Sequence, residues 1–446
     1  MGILNLFEKP IHFEFFLTVS LLHELFEQYL NFRQLAVIRR ELSANKKVLQ
    51  EDGKDADEVY KRTVKAVNEL THSEDYVKNV EYGYDKLRFQ IFSSIVHSAF
   101  SLFLLFSLFG PALWHFSGSL FSNPNEYTQS LVYCGLKMLI DALFEIPFGL
   151  YSDFFLEEKH GFNKKTLKLF FKDLALSLVL YAVIGGPTLC VLIFLVNWGG
   201  DTFYFYAFGF VVVFNFIMLI VYPEFIAPLF NKYEPLKDQE LKAEIEALAK
   251  KLKFPLMEIK QMDGSKRSSH SNMYFYGIWK FKRIVVYDTI LTQPKEQIVA
   301  TVAHELGHWS CNHYLKHLSF SFLNIFLMFF IFNTFKNDAS MFESFGFHGV
   351  NSFVVGITLF SYILTPMGIV MHIAITSLTR YNEYQADGFA VKLGYGEDIA
   401  TSLVQLHKNN KGLIHHDPLY SWYHFTHPAL FERLHAIYRA IHDNKI

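Results

Sequence analysis

Two histidines and a glutamate in Val302-Ala303-His304-Glu305-Leu306-Gly307-His308-Trp309 have the types and spacing for hydrolytic metal chemistry. A four-residue separation on an α-helix puts His304 and His308 on one face, one turn apart, able to hold one Zn²⁺. Glu305 lies between them, placed as general base toward a water at that metal. The stretch reads as helix: Thr292 can cap it, Pro294 suits its first turn, and an apolar run enters the motif. In a chain with 20 His, such a motif arises by chance with a probability on the order of a few per cent. A third ligand, a substrate surface and a setting must therefore come from the rest of the chain.

A catalytic zinc site needs a third protein ligand and an open position for water. Glu383, in Arg380-Tyr381-Asn382-Glu383-Tyr384-Gln385-Ala386-Asp387, is the best candidate. Asp387 lies one turn further on the same helical face, able to accept a hydrogen bond from a ligand histidine, and Asn382 adjoins the ligand. An ordinary exposed acidic turn is the competing reading. Residues 421–428, rich in histidine and aromatics, can supply a donor to the oxyanion formed when water attacks an amide. Spacing alone leaves the choice open among His407, His415, His416, His424 and His427.

The elements that must position these residues are largely membrane-like. Aromatic residues make up 17% of the 446, with 48 Phe, and mean hydropathy is +0.17. That is too apolar for an ordinary soluble protein. A net charge of −2 gives no reason to expect a nucleic-acid partner. Cys134, Cys190 and Cys311 are odd in number and far apart, and suggest neither a disulfide framework nor a thiolate zinc site. Spans are expected at 11–30, 89–109, 132–152, 175–197, 203–223, 318–335 and 352–376. Basic residues concentrate in 31–88, 153–174, 224–317 and the stretch after 376, which the positive-inside rule assigns to the cytosol. Seven spans then leave the N-terminus lumenal and the C-terminus cytosolic.

Lys137, Asp141 and Glu145 recur at four-residue steps down the third span. Either they line a water-filled interior or they form an internal ion pair with a spare carboxylate. Glu14, Glu24, His97 and His372 add weight to a polar interior. Residues 31–88 read as a solvated helical pair. Within 224–317, residues 236–253 read as an amphipathic helix, followed by strands at 256–262, 273–279 and 283–287, the last two a hairpin just before the zinc helix. An extended peptide could pair with that sheet's edge, its scissile carbonyl over the metal. The parts are thus 1–223 (spans 1–5 with the loop 31–88), 224–317 (metallopeptidase region), 318–376 (spans 6–7) and 377–446 (a C-terminal region completing the site).

Seven stretches in one order carry a family resemblance: EEKHGFNKKT at 157–166, IAPLFNKYEPL at 226–236, GSKRSSHSN at 264–272, YFYGIWKFKRIVVYDT at 274–289, HELGHW at 304–309, NEYQAD at 382–387 and HPALFERL at 427–434. The chain resembles the type I CaaX prenyl proteases, zinc metallopeptidases of the endoplasmic reticulum and inner nuclear membrane. The resemblance implies a mainly α fold, a seven-transmembrane-helix bundle enclosing a large chamber under a cytosolic α/β metallopeptidase cap. It implies His304, His308 and Glu383 as ligands of one Zn²⁺, Glu305 as catalytic base and His427 as the oxyanion stabiliser. It further implies Arg433 near the substrate's C-terminal end, Asn272 on a strand beside the substrate and Asp387 behind a ligand. The implied reaction removes the last three residues of prenylated CaaX proteins at the lipid bilayer. Met273 stands where the family usually has Ala, and the tail lacks a dilysine retrieval signal. The alternatives are a broader quality-control peptidase of membrane proteins and a non-catalytic seven-span scaffold.

Overall fold

The computed structural model describes residues 11–43, 57–71, 76–277 and 280–443. The N-terminal half is helical throughout: α1 (Ile11–Ser43), α2 (Glu58–Thr71), α3 (Tyr76–Phe106), α4 (Phe109–Ser119), α5 (Glu126–Tyr151), α6 (Leu167–Leu180), α7 (Gly186–Gly199), α8 (Phe203–Val221) and the short α9 (Ala227–Phe230). A mixed segment follows: β1 (Tyr233–Pro235), α10 (Gln239–Lys251), β2 (Leu256–Met262), β3 (Met273–Tyr276) and β4 (Lys282–Tyr287). Helices then resume with α11 (Lys295–Ser310), α12 (His313–Phe335), α13 (Ala339–Ser344), α14 (Phe353–Ile363), α15 (Thr365–Lys392), α16 (Gly396–Asn409), α17 (Pro418–His424) and α18 (Leu430–Asp443).

Helix covers each of the seven segments expected to span. By length and composition, three helical runs among the described residues can cross a membrane: Tyr76–Phe106, Leu167–Phe230 and His313–Phe335. The pair α14 and α15, bent by 66° at its break, makes a fourth if it is one span. The 64-residue run Leu167–Phe230 is not one rod. It reverses at Gly200, whose φ of 53° suits glycine, and α7 packs back along α8. Charges dispersed through α1 and α5 keep them below the same apolarity despite their length.

Among the described residues two large hydrophobic cores dominate, beside a small third cluster of Tyr82, Leu156 and Phe162. One gathers aromatic side chains from α1, α4, α8, α12, α13 and α14, among them Phe13, Phe203, Phe332, Phe342 and Phe360. The other joins the sheet to α2, α10, α11, α16 and α18 through Ile245, Ile259, Ile284, Val299, Val302 and Leu434. Residues 31–88 contribute to that second core, contrary to the solvated pair expected. Val59, Val64, Val67 and Leu70 form a buried stripe on α2 against α18, hidden in sequence by the charges on its other face.

The sheet order is β1-β2-β4-β3, with β2 and β4 parallel and both outer pairings antiparallel. β3 is an edge strand, in register Met273 to Val286 and Tyr276 to Arg283. The expected hairpin is present, although residues 278–279 of its first arm lie outside the described residues. At its turn Gly277 has φ 107°, and a Cβ there would meet Phe281 O at 1.9 Å. The zinc-motif helix starts later than expected. Residues Asp288–Thr292 form a 3-10 turn, Thr292 Oγ1 donates to Thr289 O, and Pro294 occupies the cap position without a side-chain bond. Thr292 is thus spent inside the preceding turn, and Pro294 lies just before the helix.

The charged stripe on α5 forms the expected ion pair, but its remaining carboxylate, Glu145, is not spare. Lys137 Nζ donates to Asp141 Oδ2 at 2.6 Å, and Glu145 Oε1 lies 2.6 Å from His97 Nε2 on α3. Together with Glu24 these side chains line a cavity of about 590 Å³ between the helices.

Candidate metal centre

Helix α11 is apolar on nearly every side, with Ile298 to Ala303 and Leu306 buried, so its place is fixed by packing. It crosses α15 with little separation. A Cβ on Gly307 would lie 3.0 Å from Ala386 Cα and 3.1 Å from Ala386 O. That glycine lets the two backbones touch and carries Glu383 and Asp387 to the histidines.

The three expected ligands converge, their donor atoms all within 4.8 Å of one another. His304 Nε2 lies 3.5 Å from Glu383 Oε2, and His308 Nε2 lies 3.3 Å from Glu383 Oε1. The hydrogen-bond chemistry behind them settles which nitrogen faces inward. Gln385 Oε1 can only accept, so His313 Nε2, 2.9 Å away, carries a proton and leaves its Nδ1 bare. His308 Nδ1, 2.8 Å from that atom, must then donate, which leaves the Nε2 lone pair of His308 facing the site. Asp387 Oδ1 lies 2.8 Å from His304 Nδ1 and sets the same tautomer there. Two imidazole lone pairs therefore face each other across 3.1 Å, beside the buried carboxylate of Glu383. A cation between them resolves both, and two nitrogens plus a carboxylate suit zinc.

Glu305 stands next to this group, half-buried. Burial raises its carboxyl above the usual range, and His304 and His308 pull it back. His427 reaches the group from the linker between α17 and α18, with Nδ1 3.0 Å from Glu383 Oε2. Arg433 on α18 is buried and donates twice to Asp387, at 2.8 and 2.7 Å, while its Nη1 lies 3.3 Å from Glu383 Oε2. Asn382 Nδ2 lies 3.0 Å from His317 Nε2 on α12. Asn272 precedes the edge strand β3, its Oδ1 accepting from Met273 N. All nine residues singled out in the sequence thus fall around one locus. His313 and Gln385, which orient His308, were missed. Gln385 sits inside the stretch already singled out, but nothing in the spacing ties His313 to it.

Two cavities meet at Glu305. The larger, about 1840 Å³, is walled by α8 and α12 on one side and by Tyr274, Phe275 and Tyr276 of β3 on the other, and reaches His308 and Asn382. The smaller, about 570 Å³, is lined by Asn272, His304, Glu383, His407, His416, His427 and Arg433.

Family models match almost the whole chain: the CAAX prenyl protease N-terminal domain with five membrane helices over residues 57–232, and peptidase family M48 over residues 235–441. The chain is 36% identical to CAAX prenyl protease 1 homolog of Arabidopsis thaliana, covering 93% of this chain and 94% of that one. It is 39% identical to CAAX prenyl protease 1 of Saccharomyces cerevisiae, covering 82% and 86%. The crystal structure of S. mikatae Ste24p superposes with a TM-score of 0.85 at 36% identity, covering 96% of this chain and 100% of that one. The chain belongs to the M48 metallopeptidases, in the branch of the CAAX prenyl proteases.

Proposed function

We propose that this chain is a zinc-dependent endopeptidase that removes the last three residues of prenylated CaaX proteins at a membrane. One observation carries the reading. Three donors of zinc-ligand type converge beside Glu305, at the point where two cavities of different character meet. His304, His308 and Glu383 would hold the ion. Bound there, zinc supplies Lewis acidity that acidifies a water and polarises the scissile carbonyl.

The protein's own groups do the rest. Glu305 Oε takes the proton of the attacking water and returns it to the leaving amine; its raised carboxyl pKa suits both tasks. His427 donates a hydrogen bond to the oxygen that gains charge. The free edge of β3 pairs with the extended substrate, and Asn272 lies beside it at the smaller cavity. The prenylated side of the scissile bond occupies the larger cavity next to the membrane helices, and the departing tripeptide occupies the smaller one. Arg433 holds Asp387 and Glu383 in place and is the nearest fixed positive charge to the substrate's C-terminal end. We place the protein in the endoplasmic reticulum and inner nuclear membranes, with seven spans, a lumenal N-terminus and a cytosolic metal site.

Glu305→Ala tests the assignment on a farnesylated CaaX peptide. The expected result is no tripeptide product by mass, with one zinc per chain retained; near wild-type turnover would sink it. A broader reading has one observation in its favour: about 1840 Å³ exceeds the 300–1,000 Å³ of ordinary ligand sites. A cavity of that size admits more chain than a prenylated cysteine. Matched prenylated and unprenylated peptides separate the two readings.

A further inference from the structure

His427 is the least supported member of the site. Its side chain is 63% exposed, and Glu383 is its one close polar neighbour among the described residues. It sits on a five-residue linker, 425–429, between α17 and α18. An exposed imidazole on a linker keeps its aim only if the backbone beneath it is held.

Arg380 holds it. Its Nη1 donates to Trp422 O at 2.5 Å and to Phe425 O at 2.9 Å, and its Nη2 donates to Ser377 Oγ at 3.3 Å. Trp422 O belongs to the last turn of α17, where carbonyls lack helical partners, and Phe425 O begins the linker. A planar guanidinium can bridge two such acceptors; a point charge on a flexible stem does so less well. Arg380 also lies three residues before Glu383 on α15, one turn away on the same face. His372, two turns earlier on α15, adds a bond from Nε2 to Tyr423 O at 3.0 Å. The linker is thus tied to the helix that carries the carboxylate ligand.

We propose that Arg380 is a positioning residue for His427, fixing its distance to Glu383 by anchoring the 422–425 backbone to α15. The inference rests on reading His427 as the donor to the oxyanion. A misplacement of about 1 Å at such a group can cost on the order of 100-fold in rate. The test is a double-mutant cycle on the full chain in detergent with zinc, using a farnesylated CaaX peptide. Arg380→Ala lowers kcat by roughly 10- to 100-fold, leaves KM within about twofold and keeps one zinc per chain. In a His427→Ala background the same change costs less than about twofold, because the group it aims is already gone. Arg380→Lys recovers part of the loss.

Losses that multiply across the two backgrounds overturn the proposal, as does an Arg380→Ala enzyme with undiminished kcat or one that sheds zinc. A His427→Ala enzyme with full kcat removes the reading beneath it and the proposal with it. Should Arg380→Ala fail to fold, Arg380→Lys carries the same cycle.

Discussion

The two cavities that share Glu305 differ in size and in the balance of their linings. The larger is backed by Val213, Met218, Leu219 and Leu318 of membrane-type helices and faced by tyrosines of an edge strand. The smaller, less than a third of its volume, is lined by five histidines, Arg433 and two of the three proposed ligands, His304 and Glu383. In the proposed binding mode, a bond cleaved between them has a strongly apolar environment on one side and a more polar one on the other. That contrast gives the reaction a direction: a lipid-modified segment gains by staying, and a short peptide with a free carboxylate gains by leaving into water.

The contrast can be broken in several ways. Glu383→Ala removes a proposed metal ligand that cleavage of any substrate would need, and has the largest expected effect. Since losing an outer partner alone costs 10–100-fold, turnover should fall by more than ~100-fold for prenylated and unprenylated peptides alike, with zinc content dropping in parallel. Met218→Trp fills part of the larger cavity only. It should raise KM for a farnesylated peptide about tenfold, the cost of some 1.4 kcal/mol of lost apolar contact, and leave an unprenylated peptide unchanged. Equal effects on both peptides would end the division of labour between the cavities.

The smallest effect comes from the wall of the smaller cavity. Burial pushes His407 and His416 down to about 4, so both are neutral in the folded protein at pH 7. Their folded values lie below the free value near 6.5. The unfolded chain therefore takes up more protons than the folded one between those limits. Stability from these two groups is fully present above about pH 6.5 and is lost as pH falls toward 4. Melting temperature in detergent should decline across that interval, and His416→Gln should make the decline shallower. An unchanged slope would mean that His416 does not stay neutral in the fold.

The candidate metal cluster was legible because helix geometry alone brings His304 and His308 together, and Glu383 and Asp387 recur with the same one-turn logic on a second helix. The proposed oxyanion donor, His427, was not legible from spacing, because five histidines compete within 21 residues (His407 to His427) and only the tertiary path of the linker brings one beside Glu383. The role of residues 31–88 was misread for a related reason. A 14-residue helix with a charged face looks solvated until a partner, here α18, which begins 372 positions after Glu58, is seen to cover the other face. Thr292 failed as a cap because 3-10 turns and caps draw on the same residue types.

Gly307 has a consequence for which ion the protein accepts. Where two helices touch main chain to main chain, they can neither slide together nor ease apart without breaking that contact. The separation of the donors is then a property of two backbones, not of adaptable side chains. A larger, harder cation such as calcium, which seeks six to eight oxygens at longer range, would have to pry α11 from α15 to be held. The glycine thus sets the spacing of the proposed donors through main chain rather than through side chains.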